Sequence, residues 1–215
     1  MLASAKQTAD LVGLFKRGTK LSYAKGEFII RPGESPSGVF YIDQGIVKAF
    51  NISKYGEENL LIIRKDHEIF PLIWSLTGKE LDINYQALSP TVVWRISSHT
   101  YLDFLQHHTS VLPPLLDIII EQYRMHSLRI LNLEYRTVRE RLVSFLLMMS
   151  ERFGKESEDG LLIDVPLKHQ DVASSINASR ETVSRQIAGL ERKGLISQKR
   201  TYFTLKDIPG LRAYL

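Results

Sequence analysis

Short runs of residues that are either apolar or alternate between hydrophobic and polar occupy the first half of the chain. They fall at residues 27–31, 39–42, 46–50, 59–63 and 91–96. Glycine and proline residues separate the runs, and these residue types adopt the backbone angles that turns require. Several short strands at this spacing are typical of an antiparallel sandwich or barrel. A short helix is predicted to follow at residues 100–108.

A long helical pattern extends from Pro113-Pro114 to Glu134. The two prolines are compatible with its start, because proline is tolerated in the first turn of a helix. Apolar spacings that alternate between three and four residues form the seam of a coiled coil, so we predict that this helix pairs with a second copy. The seam comprises Leu116, Ile119, Tyr123, His126, Ile130 and Leu133. Leu115, Ile118, Ile120 and Leu128 are left for the helix's own domain. The alternative is that the seam itself packs on that domain.

A second helix is predicted over residues 138–152, and the polar stretch 154–160 is predicted to be a loop. Residues 168–190 then fit two short helices joined by a turn at Asn177-Ala178. The inner faces are predicted to be Val172, Ala173 and Ile176 on the first helix and Val183, Ile187 and Leu190 on the second. Ser179 is a suitable N-cap for the second helix. This pattern is typical of a helix-turn-helix.

The outer face of the second helix carries Arg180, Glu181, Ser184 and Arg185 within its first two turns. A recognition helix enters the major groove with its N-terminal residues against the base edges. Arginine matches the two acceptors of guanine, and a carboxylate accepts from the cytosine amino group. We therefore predict that these four residues contact bases, in half-sites that contain G·C pairs.

Phosphate contacts are predicted for the hydroxyl and amide groups of Ser179, Thr182 and Gln170, because such contacts fix the register of a protein on DNA. Two strands are predicted at residues 196–198 and 202–205, after Gly194 ends the helix. Lys199 and Arg200 lie between these strands, where the tip of a winged helix would meet a phosphate.

Composition and charge limit the partners and cofactors that this chain can have. Residues 1–134 carry 14 Lys and Arg against 14 Asp and Glu, whereas residues 135–215 carry 14 against 10. The basic last third suggests a polyanionic partner. The chain has no cysteine, which excludes disulfides and cysteine-ligated iron–sulfur clusters. No long apolar run or export signal is present, so we expect a cytoplasmic protein without a membrane partner.

An enzyme is not expected, because the sequence lacks the common catalytic motifs and no histidine lies on the strands between residues 27 and 50. A metal-dependent jelly-roll enzyme would need clustered histidines there. The alternative function that we consider is a cyclic-nucleotide-type or haem-binding sensor that acts through a protein partner. Such a sensor would leave the basic wing and the recognition helix without a role.

The segment from Ser179 to Arg185 resembles the recognition helix of the cyclic-AMP receptor protein and fumarate–nitrate regulator (CRP/FNR) family. The runs at residues 26–34 and 40–48 resemble the family's jelly-roll effector domain. The resemblance implies an α+β protein with a jelly-roll domain (1–110), a dimerisation helix (111–134) and a winged helix-turn-helix (135–215). It also implies a homodimer on a palindromic operator with a TGA-type core in each half-site. RNA polymerase is the further partner that it implies.

The sequence departs from the cyclic-nucleotide binders of this family in the effector pocket. Phe70-Pro71-Leu72 replaces their Phe-Gly-Glu stretch, and Leu81 and Asp82 align with the arginine and serine that hold the cyclic phosphate. An anion would lack a cationic partner there and would meet a carboxylate, so we predict that cyclic AMP does not bind.

Three sensing modes remain open. One is a different small molecule in the same pocket. By resemblance to the family, the residues that line this pocket are Leu72, Trp74, Leu81, Asp82, Tyr85, His126 and Ser127. The second is haem, with axial ligands among His67, His107, His108 and His126. The third is a constitutively active regulator whose pocket is filled by its own side chains.

Overall fold

The computed structural model describes residues 2–31, 33–79 and 82–215. It divides into two compact units. One contains the residues up to Glu57 together with Leu61–Met125, and the other contains Glu58–Leu60 together with His126–Leu215. In the described ranges, no helix is both long enough and apolar enough to cross a bilayer.

The first unit is an antiparallel β-sandwich flanked by helices. Its elements are α1 (Ala5–Phe15), β1 (Thr19–Tyr23), β2 (Phe28–Ile30), β3 (Val39–Gln44), β4 (Val47–Ile52), β5 (Glu58–Arg64), β6 (Ile69–Phe70), α2 (Leu72–Thr77), β7 (Asn84–Ala87), β8 (Thr91–Ile96) and α3 (Ser98–His107). The first residues of β5, Glu58–Leu60, are grouped with the second unit. One four-stranded sheet has the order β1-β8-β3-β6 and the other the order β2-β7-β4-β5. This arrangement confirms the predicted jelly-roll-type domain.

Aromatic side chains join the two sheets through the core. Phe40 on β3 stacks on Phe70 of β6 with ring centroids 5.2 Å apart. Phe70 in turn stacks on Tyr85 of β7, in the other sheet, at 4.7 Å. All three side chains are buried, as expected for large rings that remove much apolar area from water.

Helices cover the outer side of the first sheet. One of them, α1, was not predicted from the sequence. Ser4 and Gln7 form a capping box that starts α1. Phe15 at its end is fully buried and lies 5.5 Å from the ring of Tyr41 and 5.9 Å from that of Tyr101. Leu11 and Leu14 belong to the same buried cluster.

A short 3-10 turn, Thr109–Val111, leads into the long helix α4 (Leu112–Tyr135). Its bounds confirm the long helix that the sequence predicts over residues 113–134. Val111 and Leu115 are buried in the helix-covered core of the first unit, which anchors the N-terminal end of α4 there.

The second unit combines helices with a small antiparallel sheet. Its elements after α4 are α5 (Val138–Phe153), β9 (Gly154–Ser157), β10 (Gly160–Ile163), α6 (His169–Ser175), α7 (Arg180–Arg192), β11 (Ile196–Lys199), β12 (Tyr202–Leu205) and α8 (Ile208–Arg212). The sheet has the order β11-β12-β10-β9. The helix-turn-helix and the two strands of the wing are confirmed.

The prediction that residues 154–160 form a loop is wrong. Residues 154–157 are strand β9, which pairs antiparallel with β10. All four residues of β9 are exposed, and the strand lies at the edge of the sheet. None of its side chains is buried, so they show none of the alternation by which a half-buried strand is recognised.

Candidate nucleic-acid interface

The two helices of the helix-turn-helix pack through the apolar residues that the sequence indicates. Val172, Ala173 and Val183 are fully buried, and Ile187 is 1% exposed. The turn between α6 and α7 contains Asn177 with a positive φ of 51°. Asparagine adopts this conformation more readily than most residues, so its place in the turn has a local physical reason.

Ser179 caps α7, and the next residues project from its N-terminal end. The Ser179 hydroxyl accepts from the Thr182 amide at 3.1 Å and donates to the Thr182 hydroxyl at 3.0 Å. Arg180, Glu181 and Arg185 are exposed. A guanidinium nitrogen of Arg185 also donates to the Thr182 hydroxyl, at 3.3 Å. The hydroxyls predicted to contact phosphate therefore have partners at the cap already.

Ser184 differs from its three neighbours on this face because it is half-buried and hydrogen-bonded within the protein. Its hydroxyl lies 2.7 Å from Nδ1 of His169, the first residue of α6. The other ring nitrogen of His169, Nε2, lies 2.8 Å from Oε1 of Gln198 on β11. His169 and Gln198 were not predicted site residues.

A groove of about 540 Å³ opens between the helix-turn-helix and the wing. Its walls carry the cations Lys168, Arg180 and Arg200, with Glu191 as an acidic member. Gln170 lies on the same walls and is exposed. The groove thus brings together three of the predicted DNA-contacting residues, Gln170, Arg180 and Arg200, in a cationic setting suited to phosphate.

The wing turns tightly between β11 and β12. Arg200 has a positive φ of 58°, and its backbone oxygen accepts from Nε2 of Gln198 at 2.9 Å. Lys199 pairs with Tyr202 across the hairpin, and both Lys199 and Arg200 are exposed. Both predicted phosphate-contacting cations therefore lie at the tip of the wing.

The predicted dimer seam on α4 is largely exposed in the single chain. Leu116 is 46% exposed, Tyr123 74% and Ile130 62%. At one turn the register differs from the prediction. Ile119 is half-buried and packs against the core of its own unit, whereas Ile120, predicted to face that unit, is 54% exposed. His126 is also exposed, and Leu133 is half-buried.

The residues predicted to line an effector pocket do not share one environment. Leu72 is buried in the helix-covered core, and Trp74 packs against that core. Tyr85 lies between the sheets, where burial raises the pKa of its hydroxyl and the nearby guanidinium of Arg64 opposes the shift. Asp82 is exposed, and Leu81 lies outside the described residues. On the later part of α4, His126 is exposed and Ser127 is half-buried.

A buried polar cluster in the first unit was not predicted. Arg64 is 5% exposed; it donates to Gln122 Oε1 at 3.3 Å and lies 3.4 Å from Glu68 Oε2. Asn84 on β7 is 1% exposed. The buried atoms without a hydrogen-bond partner in the described structure include Arg64 Nε, Gln122 Nε2, Asn84 Oδ1 and Asn84 Nδ2. Unsatisfied buried polar atoms are costly, so the two on the hydrogen-bonded pair Arg64 and Gln122 indicate a site for water or a polar ligand.

The histidines considered as haem ligands lie on different elements. Nδ1 of His67 lies 2.6 Å from the hydroxyl of Tyr41. His107 and His108, at the end of α3, each place Nδ1 against a backbone oxygen of that helix. Across the described residues, no group of three or more His, Asp or Glu side chains is placed to hold a metal ion.

Both units match known protein families. Residues 20–108 match the family model of the cyclic nucleotide-binding domain, and residues 140–214 match that of the Crp-like helix-turn-helix domain. The global nitrogen regulator of Synechococcus elongatus is 31% identical over 179 residues, covering 81% of this chain and 80% of that protein. The transcriptional activator protein anr of Pseudomonas aeruginosa is 26% identical, covering 86% of this chain and 74% of the activator.

Solved structures share the fold. A CooA mutant from Carboxydothermus hydrogenoformans superimposes with a TM-score of 0.78 at 18% identity, covering 94% of this chain and 89% of that one. A CRP/FNR-family transcriptional regulator from Thermus thermophilus gives a TM-score of 0.73 at 22% identity, covering 91% of this chain and 97% of that one. Taken with the two matched domains and the nitrogen-regulator relative, these findings establish that the chain belongs to the CRP/FNR family of DNA-binding transcription regulators.

Proposed function

We propose that this regulator binds a two-fold symmetric operator as a homodimer, with α7 of each protomer in a major groove. Arg180, Glu181, Ser184 and Arg185 contact base edges, and each half-site contains a TGA-type core. Gln170, Ser179, Thr182, Lys199 and Arg200 contact the phosphates. The main support is the exposure of both arginines and of Glu181 within the first two turns of a helix that is held by a buried apolar face.

Homodimer formation is supported by the exposed apolar residues of α4. Leu116, Ile120 and Ile130 are each about half exposed or more. Isolated apolar residues on a surface need no explanation, but repeated ones along a single long helix favour a partner helix. A second copy of the same chain supplies the identical stripe, and a two-fold axis through such a dimer matches a palindromic operator.

Selection of bound duplexes from a randomised library tests the operator directly. We expect the recovered sites to be palindromic, with G·C pairs in each half-site, and a mobility shift to show one dimer on each duplex. Recovery of unrelated sequences without symmetry would contradict the proposal. The selection should be repeated with small-molecule cell extract, because a protein that requires an effector would not bind DNA without it.

For the sensing step, the proposal favours a small polar molecule other than cyclic AMP. Its support is the pair of Arg64 and Gln122, which are hydrogen-bonded to each other and each have a buried, unpartnered nitrogen that can donate. A thermal-shift screen of anionic and polar metabolites tests this step, with Arg64→Met as the variant that should lose the response. If no compound shifts the wild-type protein and it binds DNA fully without one, the regulator is constitutive.

RNA polymerase is proposed as the partner at promoters where the bound dimer acts. Transcription in vitro from a promoter that contains the selected site tests this step. We expect the transcript level to change with added protein only when the site is present.

A further inference from the structure

One histidine connects the recognition helix to the wing inside the proposed DNA-binding surface. The ring of His169 lies 2.7 Å from the Ser184 hydroxyl on α7 and 2.8 Å from Gln198 Oε1 on β11. It also stacks on Phe203 of β12, with centroids 6.4 Å apart, and Phe203 is fully buried. The ring is therefore held between three elements, and both of its nitrogens are engaged.

The direction of each hydrogen bond follows from Gln198. Its amide nitrogen donates to the backbone oxygen of Arg200 at 2.9 Å, so its oxygen is the group that faces His169. An amide oxygen only accepts, and Nε2 of the ring must therefore carry the proton. In a neutral imidazole the other nitrogen is then an acceptor. Nδ1 consequently accepts the hydroxyl proton of Ser184.

We propose that His169 is a positioning residue that determines which bases Ser184 accepts. With its proton held by Nδ1, the hydroxyl of Ser184 presents only lone pairs to the groove. This inference rests on the proposed function, because it assumes that Ser184 contacts a base.

The base preference of Ser184 follows from the hydrogen-bonding groups that each base presents in the major groove. Cytosine and adenine each offer an amino group there, which donates to an acceptor. Guanine O6 and N7 and thymine O4 are acceptors and require a donor. A serine whose hydroxyl is free to rotate serves either kind of base. The serine held by His169 favours cytosine or adenine at the base that it contacts.

Two conservative variants separate the two hydrogen bonds of His169. The amide nitrogen of glutamine replaces the Nε2 donor, so His169→Gln keeps the bond to Gln198 and releases the hydroxyl of Ser184. The amide oxygen of asparagine replaces the Nδ1 acceptor, so His169→Asn keeps the hydroxyl held and loses the bond to Gln198. A purely structural role would give both variants the same effect on base preference.

Site selection followed by titration of single-base variants measures the effect. For His169→Gln we expect discrimination against guanine and thymine at the Ser184 position to fall about three- to tenfold, the range of one hydrogen bond. For His169→Asn we expect weaker binding with that preference retained. Ser184→Ala should lose the preference, and adding His169→Gln should change it no further. His99→Gln, at an exposed position in the first unit, is the matched control.

A nitrogen NMR spectrum of the free wild-type protein tests the hydrogen-bond assignment without DNA. We expect the Nδ1 resonance of His169 to have the shift of an unprotonated nitrogen and the Nε2 resonance that of a protonated one. The opposite pattern would overturn the inference, as would equal base preferences in the wild type and both His169 variants. If the wild type selects no sequence at all, the proposed function fails, and the spectrum still decides the state of the ring.

Discussion

At the scale of single residues, the exposed positions of the residues that we propose to contact bases were predictable, because one helical repeat determines them. Arg180, Glu181 and Arg185 follow a capping serine, and the apolar Val183 and Ile187 show which face is buried. His169 was not predictable in this way. Its partners lie 15 and 29 residues away in the chain, and no local spacing indicates such contacts.

Arg185 gives a direct test of base contact. We expect Arg185→Ala to weaken binding to the selected operator by about 1–3 kcal/mol and to relax the preference for guanine at one position, because the guanidinium matches both guanine acceptors. Fluorescence anisotropy with operator and base-substituted duplexes measures both effects. Arg192→Ala removes an exposed arginine from the last turn of the same helix and is the control for charge. An equal loss on every duplex would indicate a phosphate contact.

At the scale of elements, the long amphipathic helix α4 was predicted well, whereas two short elements of the first unit and one polar edge strand were not. The bounds of α4 agree with the prediction to within about one residue at each end. In contrast, β6 has two residues and α2 has six, too few to display a period. The edge strand β9 is entirely polar, and its position depends on pairing with β10, which the sequence of β9 alone does not reveal.

The seam of α4 can be tested by placing a charge in it. We expect Ile130→Asp to convert the dimer to a monomer, because a buried carboxylate without a partner is strongly unfavourable. Sedimentation velocity gives the mass. Ile73→Asp changes an isoleucine of similar exposure on α2, 53% against 62%, and should leave the dimer intact. A dimer of undiminished stability for Ile130→Asp would exclude this seam.

The start of α5 depends on a capping box between Thr137 and Glu140. The Thr137 hydroxyl accepts from the Glu140 amide, and the Glu140 carboxylate accepts from the Thr137 amide at 2.7 Å. We expect Thr137→Ala to cost about 1 kcal/mol and Thr137→Ser to cost much less. Faster amide exchange in the first turns of α5 is the measurement. Equal exchange in the two variants would contradict a role for the hydroxyl.

The same capping box makes the stability of the fold depend on pH. Hydrogen bonds from the amide and the hydroxyl of Thr137 hold the pKa of Glu140 below its usual value. The carboxylate therefore stabilises the fold above the usual glutamate pKa, and this contribution is lost as the pH falls through the lowered one. In Glu140→Gln, amide exchange in α5 should show less of this acid sensitivity.

At the scale of the whole molecule, the sequence was sufficient for the fold class and the DNA-binding function but not for the sensing step. The jelly-roll strands and the helix-turn-helix have periodic patterns and a family resemblance. The part-buried polar pair forms from Arg64 on β5 and Gln122 on α4, which only the tertiary fold brings together. Leu72 and Trp74, which the sequence predicts to line an effector pocket, pack in or against the helix-covered core.

Cyclic AMP provides the test at this scale. We expect no heat on titration of the nucleotide into the protein, because the sequence lacks the glutamate and the arginine that cyclic-nucleotide binders of this family use. A cyclic-AMP-binding relative, titrated in the same buffer, is the positive control. Micromolar binding to this chain would overturn the prediction.

The homodimer that we propose for the exposed apolar stripe of α4 has a consequence for gene dosage. A protomer that must find a second copy before it can occupy a palindrome responds to its own abundance more steeply than a monomeric regulator does. Where free protomers predominate, halving the number of chains in a cell lowers the concentration of dimers about fourfold by mass action. The amount of this regulator that a cell makes is then itself a signal that its target promoters register.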